Sequence, residues 1–166
     1  MAMREHDFAL RFRLPDAQPD PESHLEALRE AGCDDATVGV GRQGRIALEF
    51  TRDGRSAAAA MRRAIRDVQR AIPGAELLEA SPDYVGVTEI AAALGMTRQG
   101  ARKMIETQPD FPAPVHEGSS ALYRLALVLA WCARSTTRPV DPAQLEVAKA
   151  AMQQNHLREQ QQVATL

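Results

Sequence analysis

Aromatic residues are scarce in this sequence: one Trp, two Tyr and four Phe among 166 residues. Cysteine is rarer still. Cys33 and Cys132 stand alone, too few for a disulfide framework, and Cys132 falls on an apolar helical face as a small core residue would. His6, His24, His116 and His156 are scattered. They show no metal-ligand spacing among themselves or with the cysteines, so no metal site is expected. No apolar run approaches the ~18 residues of a membrane span. The opening segment MAMREHDFALRF lacks the apolar stretch of a signal peptide. The expected location is therefore cytoplasmic, with no membrane partner, and a disulfide is not expected there. Paired carboxylates in an apolar setting, a Cys–His or Ser–His signature and a phosphate loop are all missing, so neither an enzyme nor a cofactor is expected. Charge of one sign is missing too. The net charge is −2, which gives no overall basic field for nucleic acid.

What is present divides at about residue 82. In the first part, Phe8, Leu10, Phe12 and Leu14 alternate with Asp7, Ala9, Arg11 and Arg13, the period of a half-buried strand. Asp20-Pro21 starts a helix with Leu25, Leu28 and Ala31 on its apolar face, and Gly32 ends it. Ala36 to Val40 and Arg45 to Phe50 read as two strands around a Gly41–Gly44 turn, with Val38, Val40, Ile46, Leu48 and Phe50 inward. Ser56 can cap a longer helix that buries Met61, Ala64, Ile65, Val68 and Ile72 and stops at Pro73-Gly74. Glu76 to Ala80 is a last short strand. The order β-α-β-β-α-β predicts a ferredoxin-like domain over residues 5–81.

Two other readings of this part are set aside. Gly39 to Gly44 matches the dinucleotide fingerprint G-x-G-x-x-G, but a strand pattern follows where that motif needs a helix N-terminus to hold pyrophosphate. RNA recognition by stacking on an open sheet face is disfavoured, because Phe8, Phe12 and Phe50 fall on the core face by alternation. The open face is small and mixed in charge, a surface that could pack on a second copy or on the rest of the chain. Arg62, Arg63, Arg66 and Arg70 form an outer stripe on the second helix, a solvated face or else a secondary phosphate contact or a contact for an acidic protein partner.

The chain is organised around Val87 to Ile105. Ile90, Ala91 and Leu94 share one helical face, and Ala101, Met104 and Ile105 share another. Gly95 permits a sharp corner between them, Met96 is an apolar plug, and Thr97 is an N-cap candidate. Thr88 is read as the cap of the first helix, with Glu89 favourable to its dipole. Arg98, Gln99, Gly100, Arg102 and Lys103 are left facing outward. Arg reads guanine, Gln reads adenine, and Lys neutralises phosphate. Gly100 inside a helix costs about 1 kcal/mol relative to alanine; a close approach to DNA or to the first helix would account for it, and a merely tolerated glycine is the other reading. Beyond Pro109, Pro112 and Pro114, Val115-His116 and Ala121-Leu122-Tyr123 flank a turn at Glu117–Ser120, a small hairpin or wing. A helix follows with Leu125, Val128, Leu129 and Cys132 on one face. From Tyr84 to Arg138 six basic residues face four acidic ones, a local net charge of +2.

TEIAAALGMTRQGARKMI, then DFPAPV, a glycine turn, LYR and a helix carrying Trp131 together resemble the excisionase and AlpA-type prophage regulators. These are small winged helix-turn-helix proteins related to the MerR DNA-binding domain. The resemblance spans residues 84–134, about a third of the chain, and its step Phe111, Pro112, Pro114, Val115 is specific only in combination with the rest. It implies double-stranded DNA as the partner, with the second helix in the major groove. Carried over by residue, Thr97, Arg98, Gln99, Arg102 and Lys103 are the groove readers, and Ser119, Ser120 and Arg124 belong to the wing. The wing departs from the pattern: its tip has no Arg or Lys, and it carries Glu117.

Asp141-Pro142 starts a last helix over 141–160 with a thin stripe of Leu145, Ala148, Ala151 and Met152, and the polar sequence beyond His156 is expected to fray. Such a helix could lie back on its own domain or, as slightly preferred, pair with a second subunit. The expectation is an α+β homodimer: a ferredoxin-like domain for dimerisation or sensing, a winged helix-turn-helix, and a C-terminal helix. Its expected role is sequence-specific transcriptional regulation. An excisionase-like architectural protein that bends DNA, and a protein-interaction adaptor or antitoxin-like partner, are the alternatives.

Overall fold

The computed structural model describes residues 2–166. It is α+β, with a four-stranded antiparallel sheet and six α-helices among the described residues. Two compact units are present. Unit 1 comprises residues 1–81 together with 150–166, and unit 2 residues 82–149. No helix among the described residues is long and apolar enough to cross a membrane.

Unit 1 is built on β1 (Arg4–Arg13), β2 (Ala36–Gly39), β3 (Arg45–Gly54) and β4 (Glu76–Ser81), in the sheet order β2-β3-β1-β4. Helices α1 (Leu25–Glu30) and α2 (Ala57–Ala71) follow β1 and β3. Alternation along β1 and β3 buries Phe8, Leu10, Phe12, Ile46, Leu48 and Phe50. Met61, Ala64, Ile65 and Val68 of α2, with Ile72 just past its end, are buried as their spacing predicts. Ser56 caps α2, its hydroxyl accepting from the Ala59 amide at 3.1 Å. The segment after Gly44 is a strand, so the glycine pattern there is a turn with no helix behind it.

Several expectations for unit 1 are corrected. The Asp20-Pro21 start opens a 3-10 turn, Pro21–His24, before α1 begins. The buried face is therefore Pro21, His24 and Leu28, and Leu25 is 40% exposed. Strand β3 continues four residues past Phe50, and its alternation carries Arg52 into the core. There the guanidinium meets both carboxylate oxygens of Asp35 (2.7 and 3.1 Å), Asp67 (2.7 Å) and the Gly32 carbonyl (2.7 Å). Burial works against the charge on Arg52, but the hydrogen bonds it donates to Asp35 and Asp67 more than offset it and raise the pKa.

The last helix, α6, runs without fraying from Pro142 to Ala164, and from Ala150 onward it belongs to unit 1. Buried Asn155 accepts from the Ala80 amide (2.8 Å) and donates to the Ala80 carbonyl (2.7 Å). Strand β4 is an edge strand, and Asn155 satisfies the outward backbone groups of Ala80, near its C-terminal end, where another strand would otherwise add.

Unit 2 holds β5 (Tyr84–Val85), α3 (Val87–Leu94), α4 (Arg98–Thr107), β6 (Tyr123–Arg124), α5 (Leu125–Ser135) and the first turns of α6. Its core is Ile90, Ala91, Leu94 and Ala101 with Leu125, Val128, Leu129, Trp131 and Cys132. Phe111 stands edge-on to Tyr123 (5.6 Å between centroids) and to Trp131 (5.0 Å), so three of the few aromatics cluster under the proline-rich segment.

Candidate nucleic-acid interface

Helix α3 is capped by Gly86, whose amide donates to the Glu89 carboxylate at 3.0 Å. This corrects the assignment of Thr88, which is the second residue of the helix and exposed. The helix ends at Gly95, whose φ of 62° is the left-handed conformation glycine adopts without steric cost. The Met96 amide then donates back to Ala91 at 2.9 Å and closes the corner. Thr97 caps α4 as its sequence position predicts: its hydroxyl accepts from the Gly100 amide at 3.0 Å. That bond also accounts for Gly100. A Cβ there would lie 3.1 Å from Thr97 Oγ1 and 3.2 Å from Met96 Cε. Within the protein the close approach is to the turn itself, at Thr97 and Met96.

Helix α4 divides cleanly. Ala101 is fully buried, and Met104 and Ile105 are half-buried. Arg98, Gln99, Arg102 and Lys103 are exposed. Among the described residues none of these four side chains has a hydrogen bond or ion pair. Arg98 and Arg102, one turn apart, line a groove of about 560 Å³ together with Thr88, Ser119 and Ser120. Five of the ten residues singled out in the sequence thus meet at one place. Gln99 and Lys103 lie outside the groove's lining on the same helix. Glu89 and Glu106 line the groove as well, so it is mixed in charge. The sequence reading did not place these carboxylates there.

The hairpin is smaller than its composition suggested. It is a single bridge between His116 and Leu122, with bonds of 2.8 Å from the Val115 amide and 3.0 Å to the His116 carbonyl. Its second arm continues into β6, which pairs with β5, a two-residue strand too short to show a period in the sequence. This pairing changes the role of Arg124. The side chain is 10% exposed and binds buried Asp83 at 3.0 Å and the Tyr84 hydroxyl at 2.8 Å, with its guanidinium over the Tyr84 ring at 4.6 Å. Arg124 is therefore a clasp between the start and the middle of unit 2, not a wing contact. An Arg followed at once by an apolar helix was the only local hint, and its partners lie some forty residues upstream. Burial, and then the charge of Glu117, raise the pKa of Tyr123 beside it.

The arginine stripe on α2 is partly committed as well. Arg63 donates to the Asp53 carbonyl at 2.9 Å, and Arg70 donates to Asp67 at 2.8 Å and to the Ala31 carbonyl at 3.1 Å. Only Arg62 and Arg66 of the four extend without such bonds among the described residues.

Comparison with known proteins returned no match: no family model, no curated protein and no solved structure corresponds to this chain.

Proposed function

We propose that the chain is a sequence-specific DNA-binding transcriptional regulator, with a ferredoxin-like domain in unit 1 and a winged helix-turn-helix in unit 2. The order β2-β3-β1-β4, antiparallel throughout, with a helix after β1 and after β3, supports the first assignment. Two short helices joined at left-handed Gly95 and followed by a hairpin support the second.

One observation carries the DNA reading. Arg98, Gln99, Arg102 and Lys103 extend from one short helix into solvent with their hydrogen-bonding capacity unused. Base edges and phosphates require such groups. Arg98 and Gln99, in the first turn of α4, take the base-reading role, and Arg102 and Lys103 take phosphates. Unit 2 carries seven basic and seven acidic residues, so one copy has little electrostatic affinity for DNA. A symmetric pair on a two-fold site supplies the remainder through effective concentration.

The test is titration of fluorescent duplex from the gene's own upstream region against shuffled competitor at two salt concentrations. Binding that resists competitor, in a complex with the mass of two chains, is the expected result. Weak binding lost equally to competitor and to salt overturns the reading and moves attention to a protein partner on Arg62 and Arg66.

A further inference from the structure

The open face of the unit 1 sheet carries a trough with cationic walls. Cross-strand pairing puts Gly39, Ala47, Arg11 and Glu79 side by side in one row, from β2 across β3 and β1 to β4. Gly39 and Ala47 supply almost no side chain, so the row is low on the β2–β3 side. A Cβ on Gly39 would meet nothing nearer than the Ala47 carbonyl oxygen at 3.7 Å. The result is a groove of about 600 Å³ over bare backbone and small apolar groups. Arg42 of the Gly41–Gly44 turn and Arg45 at the start of β3 line it, together with Arg11 of β1. Arg11 is paired to Glu79 at 3.2 Å. Arg42 and Arg45 have no ion pair or side-chain hydrogen bond among the described residues. Three guanidinium groups therefore face one carboxylate, and two of the three are uncommitted.

We infer that this trough is a binding site for a small organic anion: a flat apolar body with one carboxylate or phosphate group. The body lies on the Gly39–Ala47 floor, where only a thin ligand can approach the backbone, and the acidic group bridges Arg42 and Arg45. Planar guanidinium forks suit bidentate recognition of both acidic groups. The volume is that of ordinary small-molecule sites, apolar over most of their lining with a few polar anchors. The site uses residues 11–79 alone, so it stands or falls separately from DNA binding by α4.

The experiment uses the full chain and two dyes with the same ring system, anionic anilinonaphthalene sulfonate and neutral phenylnaphthylamine. The sulfonate is expected to bind saturably, one per chain. The double variant Arg42→Ala/Arg45→Ala should weaken it at least about tenfold, the loss of a charge-assisted contact. The neutral dye and the thermal transition should be unchanged by that variant. Gly39→Ala, whose Cβ meets the Ala47 carbonyl and methyl only at 3.7 and 3.8 Å, raises the floor and should weaken both dyes. Sulfonate binding that does not saturate, or that survives both variants, overturns the inference. If it survives while the double variant converts a dimer to a monomer in light scattering, the face belongs to a second copy of the chain.

Discussion

Arg124 and Arg98 are both arginines of the candidate interface by sequence, and the structure gives them opposite fates, which a pair of substitutions can test. Arg124→Met keeps most of the stem but removes the guanidinium that neutralises Asp83, a carboxylate with no exposed surface. Breaking a buried pair from one side costs about 3–5 kcal/mol, because the remaining charge stays buried. Unit 2 spans residues 82–149, and a unit of that size loses about 1 kcal/mol of stability per molar urea. Its midpoint should fall by roughly 3–5 M, or the unit should be unfolded at the outset. Arg98→Ala touches an exposed side chain with no intramolecular partner, so its stability should stay within about 0.5 kcal/mol of the parent, while loss of a base contact costs about 1–3 kcal/mol in DNA binding. The assay is direct. Trp131 is the chain's one tryptophan and is 2% exposed within unit 2, so its fluorescence follows that unit's unfolding alone. If Arg124→Met leaves the Trp131 transition unmoved and weakens DNA binding instead, Arg124 is a DNA ligand and the buried-clasp argument is wrong.

Three further expectations concern unit 1. Replacing Asn155 with Leu removes both bonds to the Ala80 backbone and leaves two buried polar groups unsatisfied, at a cost of about 2–4 kcal/mol; far-UV circular dichroism during thermal melting should show it, and an unchanged transition would mean that the β4 edge does not depend on α6. Arg52→Ala should cost about 3 kcal/mol, because it removes the buried cation and leaves Asp67 only the exposed Arg70 as a partner, and the double variant Arg52→Met/Asp67→Leu should recover part of it; additive losses would deny the coupling. Burial pushes the Cys33 thiol from 9.0 up to about 11, since the charged form is the one disfavoured. The folded state then holds this proton more tightly than the unfolded one, so the contribution is complete below pH 9 and is lost as pH rises through about 11. Urea midpoints measured from pH 8 to 11 should fall more steeply in the parent than in Cys33→Ala, and equal slopes would rule out a raised thiol.

Much of this architecture is written in local periodicity. Period-two alternation marked β1 and most of β3, and helical spacing marked α2, α3 and α5, because one buried face imposes its repeat on the residues that fill it. The Ser56 and Thr97 caps and the left-handed Gly95 were equally legible, since each is decided by a bond or a torsion within four residues of itself. Within the candidate site, the outward row Arg98, Gln99, Arg102 and Lys103 followed from the same periodicity.

What only the tertiary structure decided involves partners far apart in the chain. Nothing near Arg124 announces Asp83, and two-residue strands such as Tyr84–Val85 have no period to read. Arg52 is an arginine at a core position, intelligible only once Asp35 and Asp67 are brought to it by different elements. Asn155 sits in a polar stretch of helix that shows no need to be buried, and its place is fixed by the unpaired backbone at Ala80. In each case a charged or polar side chain is buried because a specific distant group compensates its desolvation, and such compensation has no signature within the segment itself.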